Sequence, residues 1–350
     1  MKVIVDAMGG DNAPRSNVQG ALNAVKKYGV DVVLVGDGQI LLECLKGLGV
    51  ENLPKGLEIV HAGEVITMED DPATAFRRKK DSSLTVGLEL LNGGAGDAFV
   101  SAGSTGALLS AATLLTKRVK GIRRAALAPV VPTGNGGAVL IDCGANAECT
   151  PEYLLQFAYM GSFYAQKVLG RQAPKVGLLN IGVEPSKGTG LQKETYLLLE
   201  EADRSGGLNF VGNVEAREAV EGTVDVIVAD GYAGNIFLKT VEGAGKLLGR
   251  QMKGMFKKNL LTKLAAVLGK DGIREFKALM DADAVGGTAL IGISKPVIKA
   301  HGSSNEVAIQ NAIRQGFTLA QSGLIDDITA HVGYMSMERE KMCGESVEKS

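Results

Sequence analysis

Asp97-Ala-Phe-Val-Ser-Ala-Gly-Ser-Thr-Gly-Ala-Leu-Leu-Ser-Ala-Ala-Thr-Leu-Leu115 decides the fold of this 350-residue chain. It reads as a short buried strand, a glycine-hydroxyl turn and an apolar helix. Gly103 and Gly106 permit close backbone approach, Ser104 and Thr105 bring hydroxyls, and the first N–H groups of the helix lack partners within it. Such a turn suits an anion. Ser and Thr are also ordinary N-caps without any ligand, so the turn alone does not settle a role.

The pattern recurs along the chain. Strand-like runs near 2–6, 31–36, 57–61, 97–101, 137–142, 174–181, 208–212 and 224–230 alternate with helical patterns. This predicts parallel βαβ units, a largely parallel sheet covered on both faces, and ligands beyond the carboxyl ends of the strands. Five of those ends carry glycine with Asp, Asn or Ser. They supply Asp6, Gly9 and Gly10; the 101–106 turn; Asp142 and Asn146; Asn180; and Asp230 with Asn235. A shared polar pocket accounts for all five together. None fits a dinucleotide or Walker loop, so no nucleotide cofactor is expected.

Composition bounds the rest. With 45% apolar residues a full core is available, and a net charge of −1 gives no reason to expect nucleic acid. Four scattered cysteines and three histidines indicate neither a disulfide framework nor a metal site. No signal peptide or membrane-spanning helix is expected, and a cytosolic protein fits best.

Four further stretches stand out. Arg77, Arg78, Lys79 and Lys80 form a basic run that reads as a solvated helix end or as a patch for an acidic partner. Lys187 lies in a Gly- and Pro-bearing loop after an apolar strand, where an ammonium can meet a phosphate or an oxyanion. His301 stands beside a glycine and two serines, as a phosphate donor or a structural residue. Further, Leu260, Leu261, Leu264, Val267 and Leu268 fall on one helical arc flanked by lysines, with a break predicted near Asn259. That arc is core, dimer interface or membrane-surface helix. The chain from 334 to 350 reads as a polar tail.

Taken together, DAMGGDNAP at 6–14, PATAFRRKKDSS at 72–83, SAGSTGAL at 101–108, IDCGANAE at 141–148, PEYLLQFAYMG at 151–161, NIGVEPSKGT at 180–189, ADGYAGNIFLKTVEG at 229–243 and GGTALIGISKPVIKAHGSSN at 286–305 resemble the PlsX family of phosphate acyltransferases. The resemblance implies transfer of a fatty acyl group from the thioester of acyl carrier protein to inorganic phosphate, for phospholipid synthesis. It implies one α/β/α catalytic domain over 1–333, isocitrate-dehydrogenase-like and related to phosphotransacetylases. It also implies a homodimer without metal or nucleotide, and a helical excursion near 245–280 that meets the inner face of the cell membrane. There the glycerol-3-phosphate acyltransferase PlsY takes the product. Ser104 stands where the family pattern has Asn, and Arg124-Ala125 where it has Arg-Pro. Cys143 occupies a place where a varied small residue is expected, which counts against a covalent cysteine.

On that reading phosphate is the nucleophile and lies on Gly103, Ser104, Thr105 and Gly106, with Lys187 and His301 assisting. Asn235 and Lys187 stabilise the tetrahedral oxygen. Arg77 to Lys80 face the carrier protein. A short-chain phosphotransacetylase using coenzyme A thioesters, or a non-catalytic membrane scaffold, would carry much of the same sequence.

Overall fold

The computed structural model describes residues 1–280 and 286–335. The polar tail after 335, with Cys343, lies outside the described residues. Twelve strands are described: β1 (Lys2–Asp6), β2 (Asp31–Gly36), β3 (Leu57–His61), β4 (Ala98–Ser101), β5 (Ala126–Ala128), β6 (Val130–Val131), β7 (Ala138–Ile141), β8 (Lys175–Leu179), β9 (Asn209–Val214), β10 (Val226–Val228), β11 (Thr288–Ile291) and β12 (Val297–Lys299). Every strand expected from the sequence is present.

The strands form two sheets. One has the order β3-β2-β1-β4-β12-β11-β5 and the other β6-β7-β10-β8-β9. Pairing is parallel except at β11 in the first sheet and β6 in the second. In the first sheet the chain winds outward from β1 to β3 and then returns to lay β4 on the other side of β1. The crevice at such a reversal is where open parallel sheets bind ligands.

Helices cover both faces. In chain order they are α1 (Arg15–Tyr28), α2 (Gly38–Gly47), α3 (Ala75–Arg78), α4 (Ser83–Asn92), α5 (Thr105–Ala111), α6 (Pro151–Lys167), α7 (Gly190–Arg204), α8 (Ala216–Glu221), α9 (Gly231–Phe256), α10 (Leu260–Leu268), α11 (Lys270–Met280), α12 (Glu306–Gln321) and α13 (Leu324–His331). Successive strand residues point to opposite faces, and the core follows that alternation. Val3 and Val5 enter one apolar cluster, which continues through Val139 and Ile141 of the second sheet. Ile4 enters the other, which continues through Leu140 and Ile227. Both clusters therefore run unbroken from sheet to sheet, giving three layers rather than two separate cores.

The sheets join through one extended run. β5 ends the first sheet, Pro129 follows without an N–H to offer a ladder, and β6 opens the second sheet. The Leu140 N–H donates to the Pro129 carbonyl at 3.0 Å.

The excursion behaves as its residues dictate. α9 runs 26 residues, and Asn259 then stops and restarts the helix by accepting from the Thr262 N–H at 2.9 Å. The principal contacts of α10 and α11 are with α9 and each other. α10 has no buried residue, so the core reading of its apolar arc is set aside. Leu260 and Leu268 are 83% and 81% exposed.

Candidate active site

The neighbouring strands β1, β4 and β12 end together, and glycine lets their loops nest. A Cβ on Gly9 would lie 2.8 Å from the Gly103 nitrogen, and one on Gly10 would lie 3.1 Å from the Gly302 carbonyl oxygen. The Asp11 N–H donates to that carbonyl at 2.8 Å, and the Asn12 amide donates to the Ser303 and Ser304 carbonyls. Beneath them lies Asp6, 3% exposed, which accepts from Ser83 Oγ at 2.6 Å and Ser101 Oγ at 2.7 Å.

Asp142 does the corresponding work in the second sheet. It accepts from the Leu127, Cys143, Ala145 and Asn146 N–H groups and from the Asn146 amide. Burial pushes its carboxyl up, and those donors oppose the shift. α9 seats directly on this loop, since a Cβ on Gly234 would lie only 2.0 Å from the Asp142 carbonyl oxygen. Asp230 caps α9 through the Ala233 N–H.

A cleft of about 1060 Å³ opens over these loops. Of the residues expected at the site, Thr105, Asn235 and His301 line it. Asp6, Asp142, Asn146 and Asp230 hold loops and a helix end rather than lining the cleft. Gly9, Gly10, Gly103 and Ser104 are not among its lining residues; Ser104 caps α5, accepting from the Ala107 N–H at 3.4 Å. A Cβ on Gly106 would meet the Pro72 ring at 2.8 Å. Asn180 shapes its own loop by donating to the Lys187 carbonyl. Lys187 is exposed and does not line the cleft.

Five cleft residues carry charge that sequence reading passed over: Lys239, Glu242, Lys246, Lys299 and Arg314. Lys299 ends β12 at 8% exposure, and its ammonium donates to the Ala102 and Ala300 carbonyls. Burial lowers its pKa to about 8, against Asp6 and Asp11, which raise it. On α9, Lys239 stands one helical turn after Asn235. A lysine inside the apolar run Val297-Ile-Lys-Ala300 was the available signal.

His301 has its pKa lowered by burial first and then by Lys239 and Lys299. Its Nδ1 accepts from the Ser303 N–H at 3.2 Å, so the neutral ring carries its proton on Nε2. Cys143 also lines the cleft, but burial and Asp142 drive its thiol pKa far up, so it offers no thiolate. Burial likewise pushes Cys149 up to about 12.

The rest of the cleft wall is mixed: apolar side chains including Leu127, Val130, Tyr164, Val168, Leu238 and Val241 alternate with Glu242, Lys246, Arg314, Gln315 and Thr318. The basic run is divided. Lys79 pairs with Asp70 at 2.6 Å and donates to the Val65 carbonyl, and Arg78 lies 3.8 Å from Asp71. Arg77 and Lys80 instead line a separate hollow of about 340 Å³ with Phe76, Glu89 and Leu114. Among the described residues no acidic, histidine and cysteine cluster could hold a metal, and no helix is long and apolar enough to cross a membrane.

Comparison with known proteins places these features in a family. The model described as fatty acid synthesis protein matches residues 1–327. A phosphate acyltransferase of Clostridioides difficile (strain 630) is 43% identical over 341 residues, covering 97% of this chain and 98% of that protein. One from Brevibacillus brevis is 49% identical over 315 residues, covering 89% and 92%. A phosphotransacetylase from Streptococcus pyogenes aligns over 91% of this chain and 94% of its own, with TM-score 0.61 and 19% identity. EutD phosphotransacetylase from Staphylococcus aureus gives TM-score 0.57 at 17% identity over the same shares. At those identities the structures establish the fold, while the curated relatives carry the enzyme class. The chain belongs to the fatty acid synthesis protein family and is an enzyme of the phosphate acyltransferase class.

Proposed function

We propose that the chain moves a long-chain fatty acyl group from the thioester of acyl carrier protein to inorganic phosphate, forming acyl phosphate for phospholipid synthesis. The observation that carries this reading is the make-up of the cleft. It brings the ammonium groups of Lys239 and Lys299 and the His301 ring into one lining with apolar side chains that include Leu127, Val130, Tyr164 and Val168. The cations suit a phosphate and the apolar side chains a hydrocarbon chain.

The reaction needs positioning more than covalent help. An oxygen of HPO4²⁻ forms the C–O bond, the C–S bond breaks, and its electron pair leaves on sulfur. The proton of the attacking phosphate ends on that sulfur, so acyl phosphate and free thiol balance the reaction. Asn235, at the start of α9, donates to the developing oxyanion, and Thr105 brings the edge of the glycine turn to the phosphate. Lys187, on its exposed loop, serves this site only if that loop folds inward; Lys239 already stands in the cleft.

Arg77 and Lys80 offer the carrier protein an exposed cationic face, whereas Lys79 is occupied by Asp70. The exposed arc of α10 rests on the inner face of the cell membrane, where a glycerol-3-phosphate acyltransferase takes the product, and the protein acts as a homodimer. The family resemblance and the arc's exposure support that placement.

The test follows free thiol from palmitoyl-acyl carrier protein with and without phosphate. Phosphate-dependent release, with acyl phosphate formed, is expected. Preference for acetyl or butyryl coenzyme A would replace the long-chain reading, and release independent of phosphate would sink it.

A further inference from the structure

The loop His301-Gly302-Ser303-Ser304, between β12 and α12, contains a polar atom with no explanation inside the protein. The Ser304 hydroxyl has no hydrogen-bond partner although the residue is only 4% exposed, and it belongs to the cleft wall. An unpaired buried hydroxyl costs about 1–3 kcal/mol relative to a satisfied one. Something that visits the cleft is the natural partner.

The neighbours of that hydroxyl say what the visitor is. Lys299 is more than nine-tenths buried at the same strand end, and an ammonium has three donors. Two are directed at the carbonyls of Ala102 and Ala300, which hold the group in place. His301 presents Nε2–H, because its Nδ1 is taken by Ser303. Lys239 lines the cleft from α9, with its ammonium paired to Glu242. Behind the loop starts α12, a helix of 16 residues whose amino end favours negative charge. Cationic and hydroxyl donors converge here; of the neighbouring carboxylates Asp6 is engaged by its serines and Glu242 by Lys239 at 2.9 Å, while Asp11 lies beside Gly302 and favours the Lys299 charge, and Glu306 stands in the first turn of α12.

The loop is also held rigidly from outside the cleft. Asn12 donates to the Ser303 and Ser304 carbonyls, and the Asp11 N–H donates to the Gly302 carbonyl. A donor set fixed before the ligand arrives is what an anion site requires.

Resting on the acyl-transfer reading above, we infer that the attacking phosphate is bound by Lys299, Ser304 and His301 at the end of β12, with Lys239 closing the site from α9. The 103–106 turn then borders the phosphate through Thr105 rather than cradling it. Ser104 is committed to its own helix, and Gly103 and Gly106 serve the approach of Gly9 and Pro72.

Ser304→Ala and Lys299→Met test the assignment in the full-length enzyme, with thiol release followed against phosphate concentration at saturating acyl-carrier thioester. Ser304→Ala removes an unpaired hydroxyl, so its melting temperature stays level or rises, while the KM for phosphate rises about 5- to 10-fold. Lys299→Met raises that KM about 10- to 100-fold, the loss of one charge-assisted hydrogen bond, and leaves the KM for the thioester within twofold. An unchanged phosphate KM in Ser304→Ala overturns the proposal whether or not Lys299→Met folds. Wild-type protein that releases no thiol with phosphate present would instead overturn the acyl-transfer reading on which the site rests.

Discussion

The sharpest prediction concerns the exposed arc of α10. Leu260, Leu261, Leu264, Val267 and Leu268 are between 57% and 83% exposed, together equivalent to between three and a half and four fully exposed side chains. At about 2 kcal/mol for each aliphatic side chain removed from water, burial in a lipid surface gives roughly 7 kcal/mol before the losses of immobilisation. Leu261→Asp with Leu268→Asp removes roughly 3 kcal/mol of that and places two charges in the acyl boundary. The partition coefficient should fall at least 100-fold. Co-sedimentation with vesicles of phosphatidylcholine and phosphatidylglycerol measures it, in low and high salt. Lys257, Lys258, Lys263 and Lys270 are exposed beside the arc, so salt should weaken binding without abolishing it. Turnover of a soluble thioester should be unchanged, because the arc lies outside the cleft. Equal pelleting of both proteins refutes the membrane reading; a double variant that becomes monomeric by sedimentation makes the arc a dimer interface.

Further outcomes follow from the site. Gly234→Ala forces a methyl against the Asp142 carbonyl, whose own N–H is tied to Ala229 at 2.9 Å, so about 1–3 kcal/mol of stability and a larger share of turnover should go; calorimetry and a kcat measurement check both. Arg77→Glu with Lys80→Glu should raise the KM for acyl carrier protein at unchanged melting temperature, whereas Lys79→Ala should lower the melting temperature by freeing Asp70. Lys299 faces Asp6 and Asp11, which favour its charge, and Lys239, which opposes it, with His301 close by. As pH rises through about 8 the ammonium is lost and the KM for phosphate should climb. Stability should move the other way, rising from about 8 towards the ordinary lysine value, because over that window the unfolded chain binds the extra proton.

Much of this was legible from strand and turn chemistry. The strand-turn-helix at 97–115 is present as read, with Ser104 as the cap, and Asn259 breaks the excursion where the helical wheel required it. The strands missed are those whose residues carry little pattern. β5 and β6 are three and two residues long on either side of Pro129, and β12 is three residues after Pro296. Too short for alternation to show, they are strands only because neighbouring strands supply the ladder.

The candidate site was legible by place and less so by role. Polar residues at strand ends were read as one pocket, and the loops do converge. Asp6, however, ends β1 and Asp142 directly follows β7, and each is surrounded by donors that fix the loops. A carboxylate so engaged has few lone pairs left for a substrate, and its negative charge would repel phosphate. On the proposed reading, binding falls instead to donors where the backbone turns into the cleft: Asn235 after Asp230, and Lys299 with His301 and Ser304 beyond it. Sequence shows which residues are polar. It does not show which of their hydrogen bonds the protein has already used, and that difference separates the residues that hold these loops from those that line the cleft.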